Sequence, residues 1–130
     1  MYSKTTRSIV VSVKPVFLED QSSPRDHRFV WAYQVTIENQ GPITVQLKRR
    51  RWHITDSLGR EQVVEGDGVV GEQPVLKPGE SFEYTSGTPL PTPSGIMVGS
   101  YFMETETGET WDVGIPAFSL DSPHQPVRLN

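Results

Sequence analysis

Phe29, Trp31, Tyr33, Val35 and Ile37 stand at every second position of one segment, alternating with Val30, Ala32, Gln34, Thr36 and Glu38. A period of two sends successive side chains to opposite faces of an extended chain, so this segment predicts a long antiparallel strand with one buried face. A helix would scatter the same five apolar residues around its circumference. Asn39-Gln40-Gly41-Pro42 ends the strand with turn chemistry, because glycine permits positive φ and proline cannot donate to a ladder. Upstream, Ile9, Val11 and Val13 alternate in the same way, and Pro15 restricts that strand to an edge or a bulge before Val16, Phe17 and Leu18. Glu19 to Arg28 is polar, contains Ser22-Ser23-Pro24, and is expected to be a loop.

The next strand breaks its own rhythm. Val45 and Leu47 have one parity, whereas Trp52, Ile54 and Asp56 have the other. A β-bulge between Lys48 and Arg51 absorbs the extra residue and returns Trp52 to the core. Ser57-Leu58-Gly59-Arg60 is expected to turn the chain into a strand over Glu61 to Glu65, followed by a glycine-rich loop from Gly66 to Glu80. A short strand at Phe82, Tyr84 and Ser86 precedes a loop from Thr88 to Gly95 containing Pro89, Pro91 and Pro93. Met97, Gly99, Tyr101 and Met103 form a further inward face; after the turn at Glu106 to Glu109 come Trp111, Val113 and Ile115, with Pro116 shifting parity toward Phe118 and Leu120.

Roughly seven short strands separated by turns predict an all-β fold, an antiparallel two-sheet sandwich of the fibronectin type III or immunoglobulin-like kind. Composition agrees: 15 Val, 6 Ile and 11 Thr stand against two Ala, and 11 Gly with 11 Pro exclude a helical bundle. The expected organisation is a flexible N-terminus over 1–7, a single sandwich domain over 8–120 and a loose C-terminal tail over 121–130. No internal repeat suggests a propeller or solenoid.

With no cysteine in the sequence, thiol nucleophiles, disulfides and iron–sulfur ligation are excluded. No signal-peptide core or membrane-length apolar run is present, so a cytoplasmic location without membrane association is expected. A net charge of -4 disfavours general affinity for nucleic acid. The histidines His27, His53 and His124 are widely separated and form no spaced ligand motif; Asp20, Asp26, Glu104 and Glu106 are either solvated loop charges or, if the fold gathers them at one end of the sandwich, oxygen ligands for a hard divalent cation, and no metal or cofactor is expected. Ser86 lies outside a nucleophile elbow and no base accompanies it, so catalytic residues are not assigned. Trp31, Tyr33, Trp52, Tyr84, Tyr101 and Trp111 are expected mainly in packing.

Two segments carry possible binding chemistry. Gly66-Asp67-Gly68-Val69-Val70-Gly71 matches the G-x-G-x-x-G phosphate fingerprint, which works where the glycines lead into a helix N-terminus. Pro74, Pro78 and Gly79 forbid that helix. Two alternatives remain: a surface loop requiring glycine, or a backbone nest that holds a phosphate or nucleotide weakly without a helix. Lys48-Arg49-Arg50-Arg51 is either a solvated edge or a patch for a protein partner; alternation lets at most two or three of the four share a surface. Oligomeric state is not readable.

Phe29-Val30-Trp31-Ala32-Tyr33, Val45-Gln46-Leu47 with Arg50, Trp52-His53-Ile54-Thr55-Asp56, Gly66 through Pro74, Pro78-Gly79-Glu80, Tyr84-Thr85-Ser86-Gly87 and Ile115-Pro116 with Phe118 together resemble the bacterial ApaG family, also called CorD. The likeness extends over about residues 8 to 120, with a basic run longer than the family pattern. It implies a fibronectin type III-like sandwich with no established enzymatic activity. It also implies a proposed link to cobalt resistance and magnesium efflux, and frequent genomic proximity to a diadenosine tetraphosphate hydrolase. Related domains in eukaryotic F-box proteins and a polymerase-delta-interacting protein point to a non-enzymatic interaction module. The family's glycine motif also suggests pyrophosphate or nucleotide binding.

Overall fold

The computed structural model describes residues 1–125. Among these residues nine strands form two antiparallel sheets: β1 (Tyr2–Thr6), β2 (Ile9–Phe17), β3 (Phe29–Asn39), β4 (Val45–Asp56), β5 (Glu61–Asp67), β6 (Val75–Leu76), β7 (Ser81–Leu90), β8 (Gly95–Thr105) and β9 (Thr110–Leu120). One sheet has the order β1-β2-β3-β7; the other has β5-β4-β8-β9, with β6 also paired to β4. The expected antiparallel sandwich is therefore the observed architecture.

The core lies between the sheets and follows the alternation. Phe29, Trp31, Tyr33, Val35 and Ile37 of β3 are all buried and face Leu47, Trp52 and Ile54 of β4, Met97, Tyr101 and Met103 of β8, and Val113, Ile115 and Phe118 of β9. Each fully buried large apolar side chain contributes about 1.5–3 kcal/mol. Tyr33, Trp52 and Phe118 meet as an aromatic triad with centroids 5.3 to 6.0 Å apart. Asn39 is the polar member of the buried face; its Nδ2 donates to the carbonyls of Ile43 (2.8 Å) and Leu76 (2.9 Å), and its Oδ1 accepts from Gly41 N–H. These bonds fix the crossing from the first sheet to the second.

Both bulges appear where parity breaks. In β4 the register jumps between Leu47 and Arg49, leaving Lys48 as the extra residue. Between β8 and β9 it jumps at Met97 to Gly99, where Pro116 and Ala117 stand opposite one residue. Pro15 is tolerated because β1 pairs with β2 only as far as Val13, so the rest of β2 is an edge.

Four expectations need correction. The loop expected from Gly66 to Glu80 is shorter, because β5 runs on to Asp67 and Val75–Leu76 pair with β4 as β6. Residues 2–6 form β1, whose Tyr2 pairs with Val13 and Thr6 with Ile9, so the segment expected to be flexible is an edge strand. Its burial comes from backbone pairing and the Tyr2 ring against Phe118 rather than from an apolar face. Thr88 to Leu90, expected in a loop, extend β7, because β7 borders only β3 and Pro89 faces an open edge. Of the tail expected to be loose, Asp121 to Gln125 are tied down: Trp31 Nε1 donates to Asp121 O (2.8 Å), Ser122 Oγ donates to Pro93 O (2.6 Å), and His124 pairs with Glu19. Residues 126–130 of that tail lie outside the described residues. Glu19 to Arg28 is a loop with two short 3-10 turns, as expected.

Candidate functional site

Strand alternation splits the basic run of β4 across the sheet. Trp52 and Ile54 belong to the inner face, and two positions before Trp52 the same parity brings Arg50 inward. The bulge at Lys48 leaves Lys48, Arg49 and Arg51 together on the outer face. Three of the four cations thus share a surface, at the limit set by alternation.

On that outer face each cation meets an acid from a neighbouring strand: Lys48 Nζ with Glu104 (3.8 Å), Arg49 Nε with Asp67 (3.7 Å), and Arg51 Nε with Glu65 (3.3 Å). His53, next on the same face, lies 3.5 Å from Glu61. Exposed pairs of this kind contribute about 0–1 kcal/mol each, so they leave the arginines available to a partner. Arg49, Arg50, Arg51, Glu65, Ser100, Phe102 and Asp112 surround a shallow depression of about 230 Å³. The register continues it along the sheet: Arg49 stands opposite Phe102, His53 between Val63 and Val98, and Thr55 opposite Ile96. Val63, Ile96, Val98 and Phe102 are 37 to 54 % exposed, which makes this an apolar strip bordered by charge. These four residues were not singled out from sequence. Their signal was there: on β8, Ile96, Val98 and Phe102 carry apolar side chains at the parity opposite Met97, Tyr101 and Met103.

The glycine motif is an excursion from the edge of the same sheet. β5 and β6 pair with consecutive parts of β4, and residues 68–74 loop out between them. Gly68 N–H and Gln73 Nε2 both donate to Lys48 O, and Leu47 N–H donates to Pro74 O. Val69 is fully buried and anchors the loop in the core. Val69 and Glu72 exchange two backbone hydrogen bonds around Val70 (φ 44°) and Gly71 (φ 81°), the left-handed pair of a tight hairpin turn. At Gly68 a Cβ would lie 2.2 Å from Glu72 O, so only glycine fits. No helix follows the motif, as the prolines require. The amides of Gly68, Val69 and Glu72 are thus already engaged in internal hydrogen bonds.

The two sequence-predicted segments are one place in the fold. Arg50 pairs in register with Gly66, and its guanidinium lies flat over that glycine, 2.8 Å from where a Cβ would stand. Arg50 Nη1 donates to Asp67 O and Gly68 O, both at 3.0 Å. A side chain at position 66 would therefore displace the Arg50 guanidinium from this place, and the loop carbonyls point at a cation.

Behind Arg50 the edges of β5 and β7 leave a cleft of about 260 Å³, lined by Tyr33, Trp52, Val64, Ser86, Thr88 and Met97 among others. Burial pushes the Tyr33 hydroxyl up, while the Ser86 hydroxyl and the Arg50 charge act the other way. Deeper in, the hydroxyls of Tyr84 and Tyr101 hydrogen-bond to each other, and burial pushes both upward.

His27, His53 and His124 are not brought together, and among the described residues no three His, Asp or Glu side chains gather to hold a metal ion. Asp20 and Asp26 sit in the β2–β3 loop, Glu104 on β8 and Glu106 in the turn after it. No helix of the described residues is long and apolar enough to cross a membrane.

Comparison with known proteins agrees with the geometry. Residues 19–105 match the family profile of the ApaG domain. The chain is 68% identical to Protein ApaG of Paramagnetospirillum magneticum and 66% identical to Protein ApaG of Rhodospirillum centenum, each over the full length of both chains. It superposes on the crystal structure of the ApaA protein from Bordetella pertussis with a TM-score of 0.86 at 48% identity, covering 90% of this chain and 95% of that one. Matched along its whole length by these relatives and over residues 19–105 by the ApaG domain profile, the chain belongs to the ApaG family.

Proposed function

We propose that this ApaG domain is a non-enzymatic recognition module whose outer five-stranded face binds a protein partner. The observation that carries this reading is the apolar strip of Val63, Ile96, Val98 and Phe102, held on the sheet beside Arg49, Arg51 and His53. Aromatic and arginine side chains are enriched at protein interfaces, and contiguous exposed apolar surface marks interaction sites. The face spans three adjacent strands, with Val63 on β5, Arg49, Arg51 and His53 on β4, and Ile96, Val98 and Phe102 on β8.

Phosphate or nucleotide binding through Gly66 to Gly71 has less support. It needs free amides, and three of those around the turn already donate within the protein, while two carbonyls face Arg50.

A photo-crosslinking residue placed at Phe102, with a matched probe at Thr85 on the exposed face of the other sheet, tests the proposal in cells. Adducts are expected from position 102 alone, and they should be lost when Arg49→Glu and Arg51→Glu are added. Equal adducts from both positions, or none from position 102, would count against this face.

A further inference from the structure

Arg50 differs from the other three cations of its run. Lys48, Arg49 and Arg51 each meet a carboxylate, whereas among the described residues none pairs with Arg50. Its Nη1 is used by the carbonyls of Asp67 and Gly68, and the hydrogen bonds of the described residues leave its Nε and Nη2 edge without an acceptor. A guanidinium presents that edge as two parallel donors, the geometry that a carboxylate accepts in bidentate fashion.

The surroundings define the rest of the ligand. The cleft that Arg50 lines runs between the two sheets, with Trp52, Ile54, Val64 and Met97 as apolar surfaces and the hydroxyls of Tyr33, Ser86 and Thr88 along the opposite wall. Its volume of about 260 Å³ lies just below the usual range for ligand pockets, about 300–1,000 Å³, which suits a compact molecule rather than a nucleotide. The Tyr33 hydroxyl stays protonated at neutral pH, so it adds a donor and no competing negative charge.

We propose that the cleft between β5 and β7 is a binding site for a small aromatic monocarboxylate, its carboxylate on the free edge of Arg50 and its ring against Trp52, Val64 and Met97. This site is on the opposite face of β4 from the apolar strip, and Arg50 borders both it and the outer depression. The glycine loop then has a supporting role: its carbonyls orient the guanidinium, and Gly66 gives the guanidinium room to lie flat.

Titration with benzoate, followed by NMR of the Trp52 indole N–H, the Arg50 Nε–H and the Val64 and Met97 methyl groups, tests the assignment. Benzamide serves as the neutral analogue and inorganic phosphate as the bare anion. Saturable benzoate shifts at those four groups are expected, with benzamide weaker by about tenfold or more. Arg50→Gln should abolish the shifts, but Arg50 also braces the loop. Ser86→Leu fills the cleft from β7 without touching the loop and should weaken benzoate by about tenfold, a difference of about 1.4 kcal/mol. Equal binding of benzamide, unchanged affinity in Ser86→Leu, the absence of any saturable shift, or phosphate shifts confined to the Gly68 to Gly71 amides would each overturn the assignment.

Discussion

The Tyr84–Tyr101 hydroxyl pair joins the two sheets through the core, Tyr84 coming from β7 and Tyr101 from β8. Replacing either ring by phenylalanine keeps nearly all the apolar contact and strands the other hydroxyl. An unsatisfied buried polar group costs about 1–3 kcal/mol. The two substitutions should differ: Tyr84→Phe strands the hydroxyl of Tyr101, which is 0% exposed, whereas Tyr101→Phe strands that of Tyr84, which is 7% exposed on an edge strand. We expect about 2–3 kcal/mol for Tyr84→Phe and about 1–2 kcal/mol for Tyr101→Phe. The double variant removes both groups, so its loss should fall below the sum by about 1–2 kcal/mol. Urea denaturation of the four proteins measures this cycle; with a slope of about 2 kcal/mol per M, Tyr84→Phe should lower the midpoint by about 1 M. Additive losses, or single losses under about 0.5 kcal/mol, would refute the claim that the two hydroxyls satisfy each other.

The same tyrosines set an alkaline limit. Burial raises the folded values of Tyr33, Tyr84 and Tyr101, while unfolded phenols ionise near pH 10 (about 10). Stability is therefore complete below that pH and falls as pH rises above it, and the Tyr84→Phe, Tyr101→Phe double variant should show a shallower decline in denaturation midpoint. At the acid end, burial alone would raise the Asp56 carboxyl. Hydrogen bonds from Arg60 N–H, the Arg60 guanidinium (2.7 Å) and Leu58 N–H outweigh it and hold the carboxyl below the usual range. Its contribution is present above an unfolded value of about 3.9 and is lost as pH falls through the folded one; Asp56→Asn should flatten that part of the stability profile. Gly68→Ala places a methyl against Glu72 O in a left-handed backbone and should cost about 2 kcal/mol or more, whereas Gly71→Asn, with open space around it, should cost under about 1 kcal/mol by the same denaturation assay. Trp111 Nε1 is a buried donor without a partner among the described residues, so Trp111→Phe should change stability by less than about 1 kcal/mol, lost ring area offsetting the removed N–H.

Alternation revealed β3 and the bulge in β4 because a buried face imposes parity, and Leu47 and Trp52 cannot both be core residues without an extra residue between them. β1 was not legible for the converse reason: Ser3, Lys4 and Thr5 bury nothing, and the strand exists through its ladder to β2. The proline at position 89 concealed the end of β7, since proline marks a loop unless the strand is known to be an edge. The candidate site was half visible. Gly66 and Arg50 each drew notice, but that they touch depends on the β4–β5 register, which no local pattern encodes. The outward parity of β8 was readable, yet whether a second layer covers that face is decided by which strands lie across the sandwich.

The bulge at Lys48 has a consequence for insertions and deletions. Shortening an ordinary strand by one residue exchanges its two faces, and a cation would enter the core or leave it. In β4 the loss of any single residue from Lys48 to Arg51 would consume the bulge instead. Leu47 and Trp52 would keep their faces, and an arginine would still occupy the inward position two residues before Trp52. A run of like residues spanning a bulge therefore protects the chemistry of that position against changes in chain length, although nothing in it protects the position against substitution.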